Sequence, residues 1–276
     1  VIVGMSPQWS LQSFVKDISS NNPISSFGGV GFYVEDDLDT TLKNYRTFMK
    51  ETFLSLKANG INNVKYLFAY TECNNTFREE NAELYPDKTT FEHRDYDKVS
   101  EIYGKAITEL DGALKDAGVR SNYKIVGPCD NFRSDFEYTD PEQYSTLTKY
   151  TLENLADKVD IIGSHGGYSG ANEFIEDSYF YNPSTTMKKT REMAVSAGKD
   201  FWIDEYNATI YGTNAPAIVE ERRASDKTPF KGVALAATIN GVLNMGASNM
   251  FIWALADMQW PNNTNNVEFD KGMQIQ

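Results

Sequence analysis

Short apolar runs alternate along the chain with longer segments whose apolar residues recur every three or four positions. The short runs predict strands buried on both faces, and the longer segments predict amphipathic helices. The predicted strands cover residues 1–5, 64–70, 123–126, 160–163, 201–203 and 249–255. The predicted helices cover residues 38–59, 95–117, 141–158, 185–197 and 230–245. Gly60 and Gly118 directly follow two of these helices, and each is predicted to cap its helix.

The regular alternation of strands and helices predicts an α/β fold in which helices cover a parallel sheet. The length of 276 residues suits one large domain, residues 1–276, better than two small ones. A (β/α)8 barrel has this alternation and about this size. We therefore expect a (β/α)8 TIM barrel, to which this chain contributes about six strand–helix units.

Charge and composition exclude several classes of partner. The net charge of −13 opposes binding to nucleic acid, and no apolar run is long enough to span a membrane. With two histidines, and two cysteines that lack a zinc spacing, we expect no metal centre. Aromatic residues make up 13% of the chain, which fits a sugar-binding cleft and equally fits a tyrosine-rich core. Composition alone leaves these two interpretations open.

Polar residues follow each predicted strand. In parallel α/β folds the carboxyl ends of the strands converge on the ligand. Six polar pairs at the same end of a sheet indicate a functional site rather than ordinary loop positions. The pairs are Ser6 and Gln8, Glu72 and Asn74, Asp130 and Asn131, His165 and Tyr168, Glu205 and Asn207, and Asp257 and Gln259.

Two carboxylates stand out because each closely follows a strand, Glu72 after the second and Glu205 after the fifth. Closure of the sheet into a barrel brings both to one mouth. Paired carboxylates across a cleft cleave glycosides: one protonates the leaving oxygen, and the other attacks the sugar or activates water. Asp204 precedes Glu205, so strand alternation predicts that its side chain points to the opposite face. We expect Glu72 and Glu205 to be catalytic and Asp204 to be structural.

The strand ends resemble those of clan-A glycoside hydrolases, in the glucosylceramidase-, xylanase- and xylosidase-like families. The resemblance implies that Glu72 is the acid/base, ending the fourth barrel strand, and that Glu205 is the nucleophile, ending the seventh. It also implies that the chain begins at the third strand, so that a preceding segment completes the barrel. The segments that carry it are Met5-Ser6-Pro7-Gln8-Trp9-Ser10, Tyr70-Thr71-Glu72-Cys73-Asn74, Gly127-Pro128, Ser164-His165 with Tyr168, Trp202-Ile203-Asp204-Glu205-Tyr206-Asn207 and Phe251-Ile252-Trp253.

This resemblance implies a retaining hydrolase of β-linked oligo- or polysaccharides that needs no cofactor and is secreted, to the extracellular space or the periplasm. Thr71 stands where the family usually has asparagine, which keeps open a catalytically impaired, glycan-binding barrel. Cys73 and Cys129 follow neighbouring strands, and a disulfide and two separate thiols fit equally well. The candidate substrate contacts are Trp9, Asn74, Asn131, His165, Tyr168, Asn207 and Trp253.

Overall fold

The computed structural model describes residues 3–5, 38–69, 96–131, 146–165, 185–206 and 229–252. Within these ranges, strands and α-helices alternate as the sequence predicts. The strands are β1 (Val3–Met5), β2 (Val64–Phe68), β3 (Lys124–Asn131), β4 (Ile161–His165), β5 (Asp200–Tyr206) and β6 (Asn249–Ile252). The helices are α1 (Leu38–Ala58), α2 (Tyr96–Asp116), α3 (Thr146–Asn154), α4 (Thr185–Ser196) and α5 (Pro229–Met245), with a 3-10 turn at Arg120–Asn122.

The strands form a parallel sheet whose order follows the chain from β1 to β6. In the described pairings, Met5 of β1 lies beside Leu67 of β2, and Phe68 of β2 lies beside Val126 of β3. β5 and β6 also run parallel. A parallel sheet in chain order, with a helix in most of the connections, is the arrangement of a (β/α)8 barrel, and the described residues include six strands of it. The predicted fold class is confirmed.

The chain divides into two compact units. The first comprises Val1–Asp130 and Thr146–Ile162, and the second comprises Asn131–Ser145 and Gly163–Gln276. The first unit therefore contains β1 to β3 with α1 to α3, and the second contains β5 and β6 with α4 and α5. The expected single domain stays a prediction.

The core of the first unit is built from the helix faces that the spacing of apolar residues predicts. The ring centroid of Phe53 on α1 lies 5.0 Å from that of Tyr123, which directly precedes β3. Contacts of this kind remove both rings from water and stabilise the unit by the hydrophobic effect. The buried side chains with three-and-four spacing are Leu42, Tyr45, Met49 and Phe53 on α1, and Tyr103, Ile107, Leu110 and Leu114 on α2.

Arg120 ties the amino-terminal ends of β3 and β4 to α2. Its guanidinium donates to Asp111 Oδ1 at 2.6 Å, to Asp160 Oδ2 at 2.9 Å and to the carbonyl oxygen of Lys158 at 2.7 Å. Burial favours the neutral form of Asp160, but the Ile125 N–H and Arg120 outweigh it, so the pKa of Asp160 lies below its usual value. In barrels the amino-terminal strand ends serve stability. We therefore assign this network to holding the sheet together.

α2 ends at a glycine, as predicted. Gly118 has a φ of +65°, in the left-handed region that glycine adopts without a steric cost. Its N–H donates to the Lys115 carbonyl, and the following N–H, of Val119, donates to the Leu114 carbonyl, each at 3.0 Å. This is the Schellman pattern, which satisfies carbonyl groups left over at a helix end. Gly60 ends α1 in the same way, with a φ of +68°, so both predicted caps are confirmed.

Three predicted strands are longer than expected. The prediction ended β3 before Gly127-Pro128, but the strand continues through this pair. The described pairing of β2 with β3 stops at Val126, so the missing N–H of proline removes no ladder hydrogen bond on that side. β4 and β5 also extend further, so His165 and Glu205 are strand residues rather than the first residues of loops.

α5 differs from the other helices in its exposed surface. Val233 is 54% exposed and Leu243 is 47% exposed, and Ala236 and Asn240 are also exposed. The exposed residues that the structure describes on α5 carry no charge, whereas α1 and α2 expose several lysines and acidic residues. Within the described parts of the chain, no helix combines the length and apolar character needed to cross a membrane.

Candidate active site

The carboxyl ends of β4 and β5 bring His165 and Glu205 together. His165 is the last residue of β4, a strand that is buried along its whole length. Its side chain is 4% exposed, whereas that of Glu205 is 15% exposed. Both residues belong to the second unit of the chain. The site therefore combines a buried imidazole with a carboxylate that solvent still reaches.

The imidazole of His165 lies between two carboxylates. Its Nδ1 is 2.9 Å from Asp204 Oδ1, within hydrogen-bond distance. Its Nε2 is 3.2 Å from Glu205 Oε2. The second contact joins opposite charges but departs from the alignment of a good hydrogen bond. The ring thus links Asp204, which is 2% exposed, to the more accessible Glu205.

These neighbours set the charge of His165. Burial alone disfavours the imidazolium, because a charged group loses hydration in the protein interior. The charge of Asp204, its hydrogen bond to the ring and the nearby Glu205 carboxylate outweigh burial, and they raise the pKa of His165 well above its usual 6.5. These contacts therefore favour the protonated ring, which carries a proton on each nitrogen.

A β-bulge in β5 explains how two consecutive side chains contact the same ring. Ile203 and Tyr206 are three positions apart on β5, but they pair with residues of β6 that are only two positions apart. The extra residue falls at Asp204 and Glu205, where a bulge interrupts the alternation of side chains. The expectation that Asp204 faces away from Glu205 is therefore wrong, because both reach His165.

Among the side chains that the structure describes, no cluster of histidine, cysteine and acidic residues suits a metal ion. Each ring nitrogen of His165 faces a carboxylate. The arrangement offers an accessible carboxylate, Glu205, beside a buried imidazole, which suits nucleophilic attack or the stabilisation of a developing positive charge.

Cys129 lies near the end of β3 and is buried. Its Sγ donates to the Val126 carbonyl at 3.4 Å, and its φ is +55°, a conformation that is uncommon for residues with a side chain. Cys73 lies outside the described residues. The choice between a disulfide and two separate thiols therefore stays open.

Most of the other candidate residues lie outside the described part of the chain. Asn131 is the last residue of β3, at the carboxyl end where the sequence places it. The proposed partner carboxylate, Glu72, is not among the described residues, so its role stays a prediction. The same holds for Trp9, Asn74, Tyr168, Asn207 and Trp253.

Comparison with known proteins finds similarity in structure but not in sequence. No protein family and no curated protein matches the sequence. Fungal β-1,4-galactanase structures are 15% identical over 88% of this chain and 66% of theirs, with a TM-score of 0.52. An endo-1,4-β-xylanase from Caldicellulosiruptor owensensis is 14% identical over 84% of this chain and 63% of its own, with a TM-score of 0.45. Xylanase XynB from Paenibacillus barcinonensis is 12% identical over 86% and 63%, with a TM-score of 0.48.

The likeness to the galactanases concerns the fold. The chain spans less than two thirds of the length of the xylanases that it matches. The match to the galactanase structure, together with the parallel sheet in chain order, shows a TIM-barrel fold.

Proposed function

We propose that this chain carries the catalytic site of a retaining glycoside hydrolase that acts on β-linked glycans. The observation that carries the proposal is Glu205, a partly exposed carboxylate at the carboxyl end of a barrel strand, 3.2 Å from the buried imidazole of His165. Catalytic residues of TIM barrels come from this end of the strands. The orientation of Glu205 by His165 suits a group that attacks one carbon atom from one direction.

The proposed mechanism has two steps. In the first, Glu205 attacks the anomeric carbon while Glu72 gives its proton to the departing glycosidic oxygen, so that a glycosyl-enzyme ester forms and the glycosidic bond breaks. In the second, Glu72 removes a proton from water, and the water oxygen displaces Glu205 from the same carbon. Two inversions give net retention. Glu72 enters the proposal from the sequence pattern, as the carboxylate that ends a second strand.

The substrate class follows from the fold and from chemistry together. A structure that shares this fold with a TM-score of 0.52 is named a fungal β-1,4-galactanase, which makes a β-1,4-galactan one substrate to test. The net charge of −13 favours neutral over acidic glycans. We therefore propose a neutral β-linked glycan as the substrate.

Activated aryl β-glycosides of galactose, glucose and xylose test the catalytic role. We expect turnover by the unaltered chain, with the β-anomer as the first product seen by proton NMR. We expect Glu205→Gln to lower kcat by about 1,000-fold or more, because the nucleophile is lost. Glu153→Gln, at an exposed position of α3, is the matched control and is expected to keep full activity.

Azide separates the two carboxylate roles. In Glu205→Ala the vacated face admits azide, and the expected product is an α-glycosyl azide. In Glu72→Ala the glycosyl-enzyme still forms from an activated substrate, and azide is expected to release a β-glycosyl azide. Full activity in Glu205→Gln would overturn the proposal. Binding of β-1,4-galactan without any turnover would instead support the glycan-binding alternative.

A further inference from the structure

Asp204 contacts the imidazole of His165 at close range. Its side chain is 2% exposed, and Oδ1 lies 2.9 Å from His165 Nδ1. Its other oxygen, Oδ2, is buried and makes no hydrogen bond within the described residues. Burial of a carboxylate costs free energy unless a cation or hydrogen-bond donor pairs with it. The contact with His165, whose ring also faces Glu205, points to a role for Asp204 beyond packing.

The bulge in β5 gives Asp204 its access to His165. Strict alternation would send Asp204 and Glu205 to opposite faces of the strand, and only one of them would reach the ring. The register shift between Ile203 and Tyr206 removes that restriction. Bulges often re-aim side chains next to active sites. The local backbone is therefore shaped to bring two carboxylates to one imidazole.

We propose that Asp204 is a positioning residue of the glycosidase site assigned above: by accepting the Nδ1 proton of His165, it orients the ring so that Nε2–H faces Glu205. The inference rests on the proposed function for its effect on catalysis, but not for its geometry. Asp204 touches neither substrate nor the reacting atoms. It acts through His165, which in turn fixes the carboxylate that attacks the sugar.

The charges around His165 also affect the pH at which the ring loses its proton. Within the described part of the chain, the charged groups in contact with the imidazole are Asp204 and Glu205, both from β5. Two carboxylates and one imidazolium carry a net charge of −1. Loss of the Asp204 charge leaves Glu205 as the only anion in contact with the ring in this part of the chain. The ring is then expected to lose its proton at a lower pH, since one attractive charge is gone.

Proton and nitrogen NMR of the histidine rings tests the proposal directly, because the chain contains only two histidines. A His93→Gln variant assigns the signals of His165. In Asp204→Asn we expect the midpoint of His165 titration to fall by about one pH unit or more. Asp200→Asn, an exposed change on the same strand, is the matched control and is expected to leave the midpoint unchanged. Equal midpoints in the unaltered protein and Asp204→Asn would overturn the proposal.

The position of the proton on the neutral ring of His165 tests the proposal without any substitution at Asp204. Above its titration midpoint, neutral His165 is expected to keep its proton on Nδ1, because the aligned bond to Asp204 is the better one. Nitrogen chemical shifts distinguish this tautomer from the other. A neutral ring protonated on Nε2 would overturn the proposal, even if Asp204→Asn failed to fold.

Kinetics then links the positioning role to catalysis. With an aryl β-glycoside, Asp204→Asn is expected to lower kcat by about 10- to 100-fold, as for other residues that orient a catalytic group through an intermediary. KM is expected to change by less than about twofold, since Asp204 does not touch substrate. The alkaline limb of the kcat profile should move to lower pH. An unchanged kcat and profile would overturn the catalytic part. If no glycoside is hydrolysed at all, the proposed function fails, while the NMR results still decide the geometry.

Discussion

His165 links the site to the stability of the protein through its charge. In the folded chain, burial opposes its protonation, but Asp204 and Glu205 outweigh burial and raise its pKa above the usual 6.5. The folded state therefore binds this proton more tightly than the unfolded state. The resulting stabilisation is fully present below about pH 6.5 and is lost as the pH rises through the higher folded value.

A His165→Asn variant tests this linkage. At pH 6 we expect it to lower the free energy of unfolding by about 3 kcal/mol, because the buried Asp204 and the more accessible Glu205 both lose the imidazole that they contact. The deficit relative to the unaltered chain should shrink as the pH rises towards 10. Urea unfolding across this pH range measures it, and His93→Asn serves as the control. A deficit that is constant from pH 6 to 10 would contradict the assignment.

At the residue scale, the convergence of parallel strands at their carboxyl ends predicts part of the site. Glu205 and His165 could be chosen because polar residues at the carboxyl ends of neighbouring parallel strands must lie near each other. Asp204 was assigned to a structural role, because the rule of alternation assumes an unbroken ladder. The signal available in the sequence was the pair Asp204-Glu205 at the end of an apolar strand. Two adjacent carboxylates at the end of an apolar strand favour a cation nearby, and His165 follows the neighbouring predicted strand.

At the scale of elements, α2 and α3 are in close contact through a glycine. A side chain at Gly104 of α2 would place its Cβ against the Tyr150 hydroxyl of α3, and 3.1 and 3.2 Å from two ring carbons. Such distances are shorter than a van der Waals contact between carbon atoms. The absence of a side chain at Gly104 therefore lets these two helices of the first unit approach each other.

We expect Gly104→Ala to destabilise the chain by about 1–3 kcal/mol through overpacking. Tyr150→Phe removes the nearest oxygen, so the cost of Gly104→Ala should be smaller by about 0.5 kcal/mol or more in that background. Urea unfolding of the four proteins in the double-mutant cycle measures the coupling. Gly232→Ala is the control, because its Cβ meets no atom within 4 Å. Strictly additive effects would show that Tyr150 is not the obstacle.

The boundaries of elements were predictable where a specific residue ends them. Gly60 and Gly118 end their helices because the left-handed conformation breaks the helical repeat at little cost for glycine. α3 shows the limit of this logic, since it ends at Asn154, four residues before its predicted end at 158. No glycine marks that end, and the chain turns instead through a hydrogen bond from the Lys158 N–H to the Leu155 carbonyl. Strand ends have no comparable marker, so β3, β4 and β5 were all predicted too short.

At the scale of the whole molecule, alternation of strands and helices predicts the parallel order because crossover connections place successive strands side by side. The described ranges contain Glu205 and His165 but not Glu72, so the pairing of the two proposed catalytic carboxylates stays a prediction. It depends on the chain beyond the strand ends, whose course cannot be read from hydrophobic periodicity.

The exposed surface of α5 predicts how readily the chain associates with other copies of itself. Val233 and Leu243 are about half exposed, and the exposed residues described on this helix are uncharged. Apolar patches of this kind promote association, whereas exposed side chains contribute little to folding. We expect the double variant Val233→Lys and Leu243→Lys to change the free energy of unfolding by less than about 0.5 kcal/mol. It should also bind less of a hydrophobic dye and scatter less light at high concentration.

Val195 is the matched control for this effect. It is 48% exposed on α4, where its exposed neighbour Glu192 supplies a charge. Val195→Lys adds a positive charge to a surface that is already polar, so dye binding should hardly change. If Val195→Lys reduces association as much as the α5 variant does, net charge rather than the α5 surface is responsible. If the α5 variant unfolds at much lower urea, the two side chains are packed against other parts of the chain, and α5 is not a free surface.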